Sequence, residues 1–295
     1  MVNEFLLYFV FCLCSIVLAL GSWFLVLGSW LFCEMNNLIP FYIIERNVSI
    51  FCFTTFATGI NLYLFDIMNK LKVIITGATG MVGEGVLYQC LEHLEVEKVL
   101  VITRKPCGYI HPKLTEIIHS DFSDISSLSD RLTGYNACYF CLGVTALGKK
   151  EEEYTRLTYT LTLNFATTLA ALNPDMTFCY ISGAGTDSTE KGKTMWARVK
   201  GKTENDLVKL PFKQVFNFRP GGIIPFLPLN PSQTYYKMYK YTRWILSFMK
   251  VFTPQYVITL KELAAAMIQA SLTGYPTHVV EMKDMKVLVK TGSVK

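Results

Sequence analysis

Thr76-Gly77-Ala78-Thr79-Gly80-Met81-Val82-Gly83 is the stretch whose residue types and spacing point most directly to chemistry. It follows the apolar run Leu71 to Ile75 and opens a helix-periodic segment, Met81 to Leu94. In that setting Gly77 permits a tight turn out of a strand. Gly80 lets main chain approach a phosphate closely, and Gly83 lets the helix pack against the sheet. The first turn of the helix then offers unpaired N–H groups and a partial positive charge to an anion. Thr76, Thr79, Met81 and Val82 complete the turn, and the ligand it fits is the pyrophosphate of a dinucleotide.

A second group of residues bears on which dinucleotide. An acidic residue about twenty positions past the glycines usually bonds the ribose hydroxyls of NAD. Here that place reads Thr103-Arg104-Lys105. A guanidinium can grip a 2′-phosphate with paired, charge-assisted hydrogen bonds, where a carboxylate would repel it. NADP(H) is therefore favoured over NAD(H), unless Arg104 is an ordinary solvated residue at a strand end. Asp121 and Phe122 follow a later apolar segment, where a carboxylate can accept from an adenine amino group and an aromatic can flank the ring; a helix cap is the plainer role for Asp121. Leu142 and Gly143 close another strand, where glycine either lets main chain pass near the nicotinamide ribose or simply makes a turn.

The elements that must position these residues alternate along the chain. Strands are predicted at Leu71 to Thr76, Val99 to Thr103, Leu114 to His119, Ala137 to Leu142, Thr177 to Ile181 and Gln214 to Phe218. The intervening helices include a long one from Glu151 to Leu172, stopped at Asn173-Pro174, and another from Trp196 to Leu210. This alternation implies right-handed crossovers and an α/β fold with a doubly wound parallel Rossmann sheet. The Rossmann core is assigned to 68–222. After it, Pro220, Pro225, Pro228 and Pro231 mark an irregular loop, and 223–295 is expected to form a small helical cap with the substrate region.

Composition narrows the function classes. Residues 1–67 carry one basic and four acidic side chains, so of the chain's 28 basic and 23 acidic residues, 27 and 19 lie in 68–295. That net excess of eight suits an anionic ligand, but the charges are scattered and no nucleic-acid-reading motif accompanies them. Nine cysteines without regular spacing read as reduced thiols in a cytoplasmic domain. Cys138 and Cys141 should face opposite sides of a strand, and the four histidines are isolated in sequence, so no metal site is expected.

Phe5 to Cys33 is apolar and long enough to cross a bilayer of about 30 Å. Met68-Asn69-Lys70-Leu71 would also begin a soluble Rossmann chain, so 1–67 is read either as a membrane anchor or as a leader absent from the working protein. Tyr235, Tyr236, Tyr239, Tyr241 and Trp244, interleaved with Lys237, Lys240 and Arg243, form an aromatic, basic segment. It is either a solvated helix on the cap or a contact with anionic lipid.

Taken with Thr76 to Gly83 and Arg104, the segments Cys141 to Thr145, Ile181-Ser182-Gly183, Val199-Lys200-Gly201-Lys202-Thr203-Glu204 and Phe218-Arg219-Pro220-Gly221 resemble atypical short-chain dehydrogenases, of the NAD(P)H-binding, epimerase-like group related to the Tat-interacting oxidoreductase. The resemblance covers roughly 70 to 280 and implies hydride transfer with NADP(H) on a small-molecule substrate. It implies that Ser182 orients a substrate oxygen and that Lys200 holds the ribose; pairing of two copies through the helices flanking the cleft is a further expectation. The tyrosine that carries the proton in such enzymes is replaced by Trp196, whose indole N–H does not titrate. Either Tyr154, Tyr159 or Thr145 takes over the proton, or the chain binds NADP(H) with little turnover. Trp196 itself either stacks on nicotinamide or substrate, or packs the cavity. Arg219, Pro220 and Gly221 are expected to fold over the nicotinamide, with an ion-pair role for Arg219 as the alternative.

Overall fold

Along β1 (Leu71–Thr76), Val73 and Ile75 point to one side and Ile74 to the other, and all three are fully buried. A strand buried on both faces belongs inside a parallel sheet covered by helices. The computed structural model, which describes residues 70–225 and 252–292, has that architecture. Strands β1, β2 (Val96–Thr103), β3 (Leu114–Ile118), β4 (Ala137–Phe140), β5 (Thr177–Ile181), β6 (Gln214–Phe218) and β9 (Val279–Val280) form one sheet in the order β3-β2-β1-β4-β5-β6-β9, with every pairing parallel. The order reverses between β1 and β4, which opens a crevice at their carboxyl ends. A separate two-stranded sheet pairs β7 (Gly222–Ile224) with β8 (Val257–Thr259).

The helices are α1 (Met81–Glu92), the short α2 (Ser129–Leu132), α3 (Glu151–Thr155), α4 (Leu161–Leu172), α5 (Met195–Leu207), α6 (Leu260–Thr273) and α7 (Met282–Gly292). One apolar layer joins β-strand residues such as Val99, Tyr139 and Phe218 to Val86 and Leu87 of α1, Leu263 and Met267 of α6 and Met285 and Leu288 of α7. The other joins Leu100, Phe140, Phe178 and Tyr180 to Phe165 and Leu169 of α4 and Leu207 of α5. Cys138 and Cys141 contribute to opposite layers, as the two-residue period of a strand requires. The helix expected over Glu151 to Leu172 is interrupted by a π turn at Arg156–Thr160.

Residues 257–292 do more than cap the sheet. Thr259 and Glu262 form a reciprocal capping box that starts α6. Gly85 lets α1 meet it, since a Cβ there would overlap the Leu260 side chain. β9 extends the main sheet as its seventh strand. The division at residue 222 therefore does not separate core from cap. The aromatic, basic segment from Tyr235 to Trp244 and the apolar run Phe5 to Cys33 lie outside the described residues. No helix among the described residues is long and apolar enough to cross a membrane.

Candidate functional site

Gly77 leaves β1 with φ +71°, a conformation that costs an L side chain but not glycine. A Cβ on it would also lie 2.7 Å from the Cys141 carbonyl oxygen, so the turn is pressed against the end of β4. Gly83 removes the Cβ that would overlap the Gly77 carbonyl, which lets α1 start directly beneath the turn. Gly80 is the N-cap residue, extended at φ −94° and ψ 163°, and no side chain caps the first turn of α1. Its N–H donors are therefore left for an anion. The Thr76 hydroxyl, buried at the floor of the turn, also has no protein partner. A dinucleotide fits this cradle: main chain approaches without side chains, and nothing lies within 4 Å of where a Cβ would project from Gly143 or Gly183.

Strand register places the remaining candidates along one edge. Thr76 pairs with Ile102 and with Phe140, which sets Arg104 on one side of the glycine turn and Leu142 and Gly143 on the other. Phe140 pairs with Tyr180, and Ile181 with Phe218, which brings Ser182 and then Arg219 into the same row. Four steps between strands cover about 19 Å from the β2 end to the β6 end. Arg104 is exposed. Asp121 is exposed too, and its carboxylate accepts from the Ser123 N–H (2.9 Å) and hydroxyl (2.5 Å), bonds that hold it below the usual carboxylate range. It thus closes a local turn and caps no helix. Phe122 is buried and stacks on Phe165, 6.2 Å between ring centroids, so its ring serves the core instead of flanking an adenine.

Ser182 and Lys200 come together at the end of β5, and Trp196 borders the loop that follows. The Ser182 N–H donates to the Phe218 carbonyl (2.8 Å), and its hydroxyl lies 3.0 Å from that of Thr186. The Lys200 ammonium donates to the carbonyls of Ile181 (3.2 Å) and Ser182 (3.1 Å) and lies 5.3 Å from the Tyr180 ring centre. Burial lowers Lys200 to about 8, with Glu204 pulling the other way. The loop after Ser182 rests on α5 because Gly201 has no Cβ; one there would overlap the Asp187 carbonyl. The Trp196 indole edge would sit 3.7 Å from a Cβ on Gly185, so Trp196 borders the same loop.

Of the two readings of Arg219, the geometry favours the ion pair. Arg219 is 8% exposed and Glu204 1%. Nε donates to both carboxylate oxygens of Glu204 (3.0 and 3.2 Å), Nη1 to Glu281 (3.2 Å), and Nη2 to Glu204 and to the Ser188 hydroxyl (2.5 Å each). Desolvation opposes its charge, but these carboxylates overcome it and raise its pKa. The guanidinium therefore clamps α5, the loop after Ser182 and the residue before α7 to the β6 end. Pro220 accepts the Ala184 N–H (2.9 Å), and Gly221 makes room for the main chain of Tyr256. Ser188 and Glu281 carry no motif and were not foreseen from the sequence. Glu204 stood within one but gave no sign of its partner.

Of the groups considered as substitute proton carriers, Tyr154 is buried and Tyr159 donates to Asp206 (2.8 Å), while the exposed Thr145 hydroxyl accepts the Leu147 N–H (3.2 Å). Among the described residues no cluster of His, Cys, Asp or Glu could hold a metal.

The fold and this edge define a Rossmann protein with a dinucleotide-type cradle, and solved structures share the architecture. The Bordetella bronchiseptica enzyme WbmG, in complex with NAD, is 15% identical with a TM-score of 0.52, over 75% of this chain and 78% of that one. Helicobacter pylori ADP-L-glycero-D-manno-heptose-6-epimerase is 13% identical with a TM-score of 0.53, over 76% and 82%. No protein-family model matches the chain. Among curated proteins it is 28% identical over 162 residues to the mitochondrial protein FMP52 of Candida glabrata, covering 53% of this chain and 66% of that protein. It is 30% identical over 159 residues to leucinostatins biosynthesis cluster protein T of Purpureocillium lilacinum, covering 52% and 58%. The match thus spans less than two thirds of each of these relatives, and neither is the Tat-interacting oxidoreductase to which the group resembled by the motifs is related.

Proposed function

We propose that the chain binds NADP(H) in preference to NAD(H) and catalyses hydride transfer to or from a small carbonyl or sugar-like substrate held near Ser182. The observation that carries this is the glycine turn at the β1/β4 switch point, with α1 uncapped beneath it and Arg104 exposed beside it. The bound cofactor supplies the hydride. The α1 amides hold its pyrophosphate, Arg104 selects the phosphorylated ribose, and the Ser182 hydroxyl orients the substrate oxygen beside Lys200. Buried thiols such as Cys90 and Cys179 fit a reducing compartment, either the cytosol or the mitochondrion named for the FMP52 relatives.

One observation favours a second reading. Trp196 stands where the resemblance places a tyrosine, which suits a dinucleotide-responsive binding protein with little turnover. A carbonyl-substrate panel with NADPH, run on wild type and on Trp196→Tyr, separates the two. Turnover by wild type supports the enzyme; binding without turnover, with activity only in the variant, supports the binding protein.

A further inference from the structure

Reducing a carbonyl requires a hydride at carbon, which a reduced nicotinamide supplies, and a proton at oxygen, which falls to the protein. The Trp196 indole N–H does not titrate, so it cannot supply that proton. Tyr154 and Tyr180 are buried in the core, where desolvation holds both hydroxyls above the usual phenol range. Tyr159 bonds Asp206, ten residues along α5 from Trp196, which is about 15 Å at the helical rise. The Thr145 hydroxyl does not titrate in the neutral range. Lys200, among these groups and Ser182, is the one that touches the main chain of Ser182 while burial lowers its ammonium toward that range.

We propose that Lys200 is itself the proton donor to the substrate oxygen at Ser182, doing the work Trp196 cannot, and that Glu204, locked by Arg219, fixes its charge as a positioning residue. This rests on the oxidoreductase reading above. Two of the three ammonium N–H bonds are spent on the carbonyls of Ile181 and Ser182, which leaves one for a ligand. As hydride arrives at carbon, an O–H bond forms at the substrate oxygen and an N–H bond of Lys200 breaks. The electron pair stays on nitrogen, and water reprotonates the neutral amine after product leaves. The groups facing Lys200 are Glu204 on its own helix, the Tyr180 ring from β5, and Arg219 from the β6 end acting through Glu204; Tyr154 of α3 acts in turn on Tyr180. Burial brings the ammonium to about 8, where it can give up a proton in the neutral range, and removing the Glu204 charge lowers it further. The donating form exists below that value, so reduction slows as pH rises through about 8.

The test pairs activity with a readout that needs none. Competitive acetylation of the cofactor-free protein across pH, read by mass spectrometry, measures the titration of Lys200; NADPH-driven carbonyl reduction is followed on wild type, Lys200→Arg, Lys200→Met and Tyr256→Phe. Arginine keeps the charge but does not release a proton. Tyr256, 62% exposed with its main chain against Gly221, is the rival donor. Expected are a Lys200 that titrates well below the other lysines, and lower still in Glu204→Gln. Both Lys200 variants should lose about 100-fold or more in rate while still binding NADPH, and Tyr256→Phe should stay near wild type. Should Glu204→Gln not fold, the wild-type titration decides. Lys200 acetylating like the other lysines, Lys200→Arg keeping rate and pH profile, or Tyr256→Phe taking the loss each overturns the proposal. Wild type that reduces carbonyls while one of those results holds sinks this proposal alone. Wild type that binds NADPH but reduces nothing sinks the oxidoreductase reading with it.

Discussion

Around the β1–α1 turn the contacts are made almost wholly by main chain: Gly77 against the end of β4, Gly83 against Gly77, and bare amides at the start of α1. Around the ends of β5 and β6 they are made by charged side chains: Lys200 on two carbonyls, and Arg219 on Glu204, Glu281 and Ser188. The first region tolerates no added atom, because backbone cannot step aside. The second tolerates no lost charge, because a buried partner would be left unpaired. The β1–α1 end is thus fixed by shape and the β5–β6 end by electrostatics.

Arg219→Met tests the electrostatic end hardest. It strands Glu204 in the core, and removing one partner of a buried pair costs about 3–5 kcal/mol. Denaturant unfolding should show a loss of that size, whereas a loss under 1 kcal/mol would mean that the clamp contributes little. Arg104→Gln sharpens the other end without touching the fold. A lost charge-assisted contact is worth about 1.5–3 kcal/mol, so NADPH affinity should fall roughly tenfold to hundredfold and NADH affinity far less. An equal fall for both would remove Arg104 from the 2′-phosphate. Gly83→Ala forces α1 off the turn at about 1–3 kcal/mol of overpacking. NADPH binding should weaken with it, and unchanged binding would show that the turn is looser than its geometry.

Much of the shape-fixed end was legible in the sequence, because its signals are local. Glycines at 77, 80 and 83 sit between a strand and a helix, and the predicted bounds of β1 match the structure. The charge-fixed end was less so. The segments holding Glu204 and Arg219 were singled out, but only the sheet brings them together, and Ser188 and Glu281 join from loops with no pattern of their own. β9 is two residues long, too short for any alternation to show. The π turn at Arg156–Thr160 breaks a helix that contains neither glycine nor proline there to mark it. Phe122 looked like a ring at a strand end; its stacking on Phe165, 43 positions away, is what makes it core.

Whether the glycine cradle binds a nicotinamide dinucleotide is tested most directly by isothermal titration of the purified protein with NADPH and with NADH. Saturable binding of one NADPH per chain, tighter than NADH, is the predicted result. No heat with either nucleotide would contradict it.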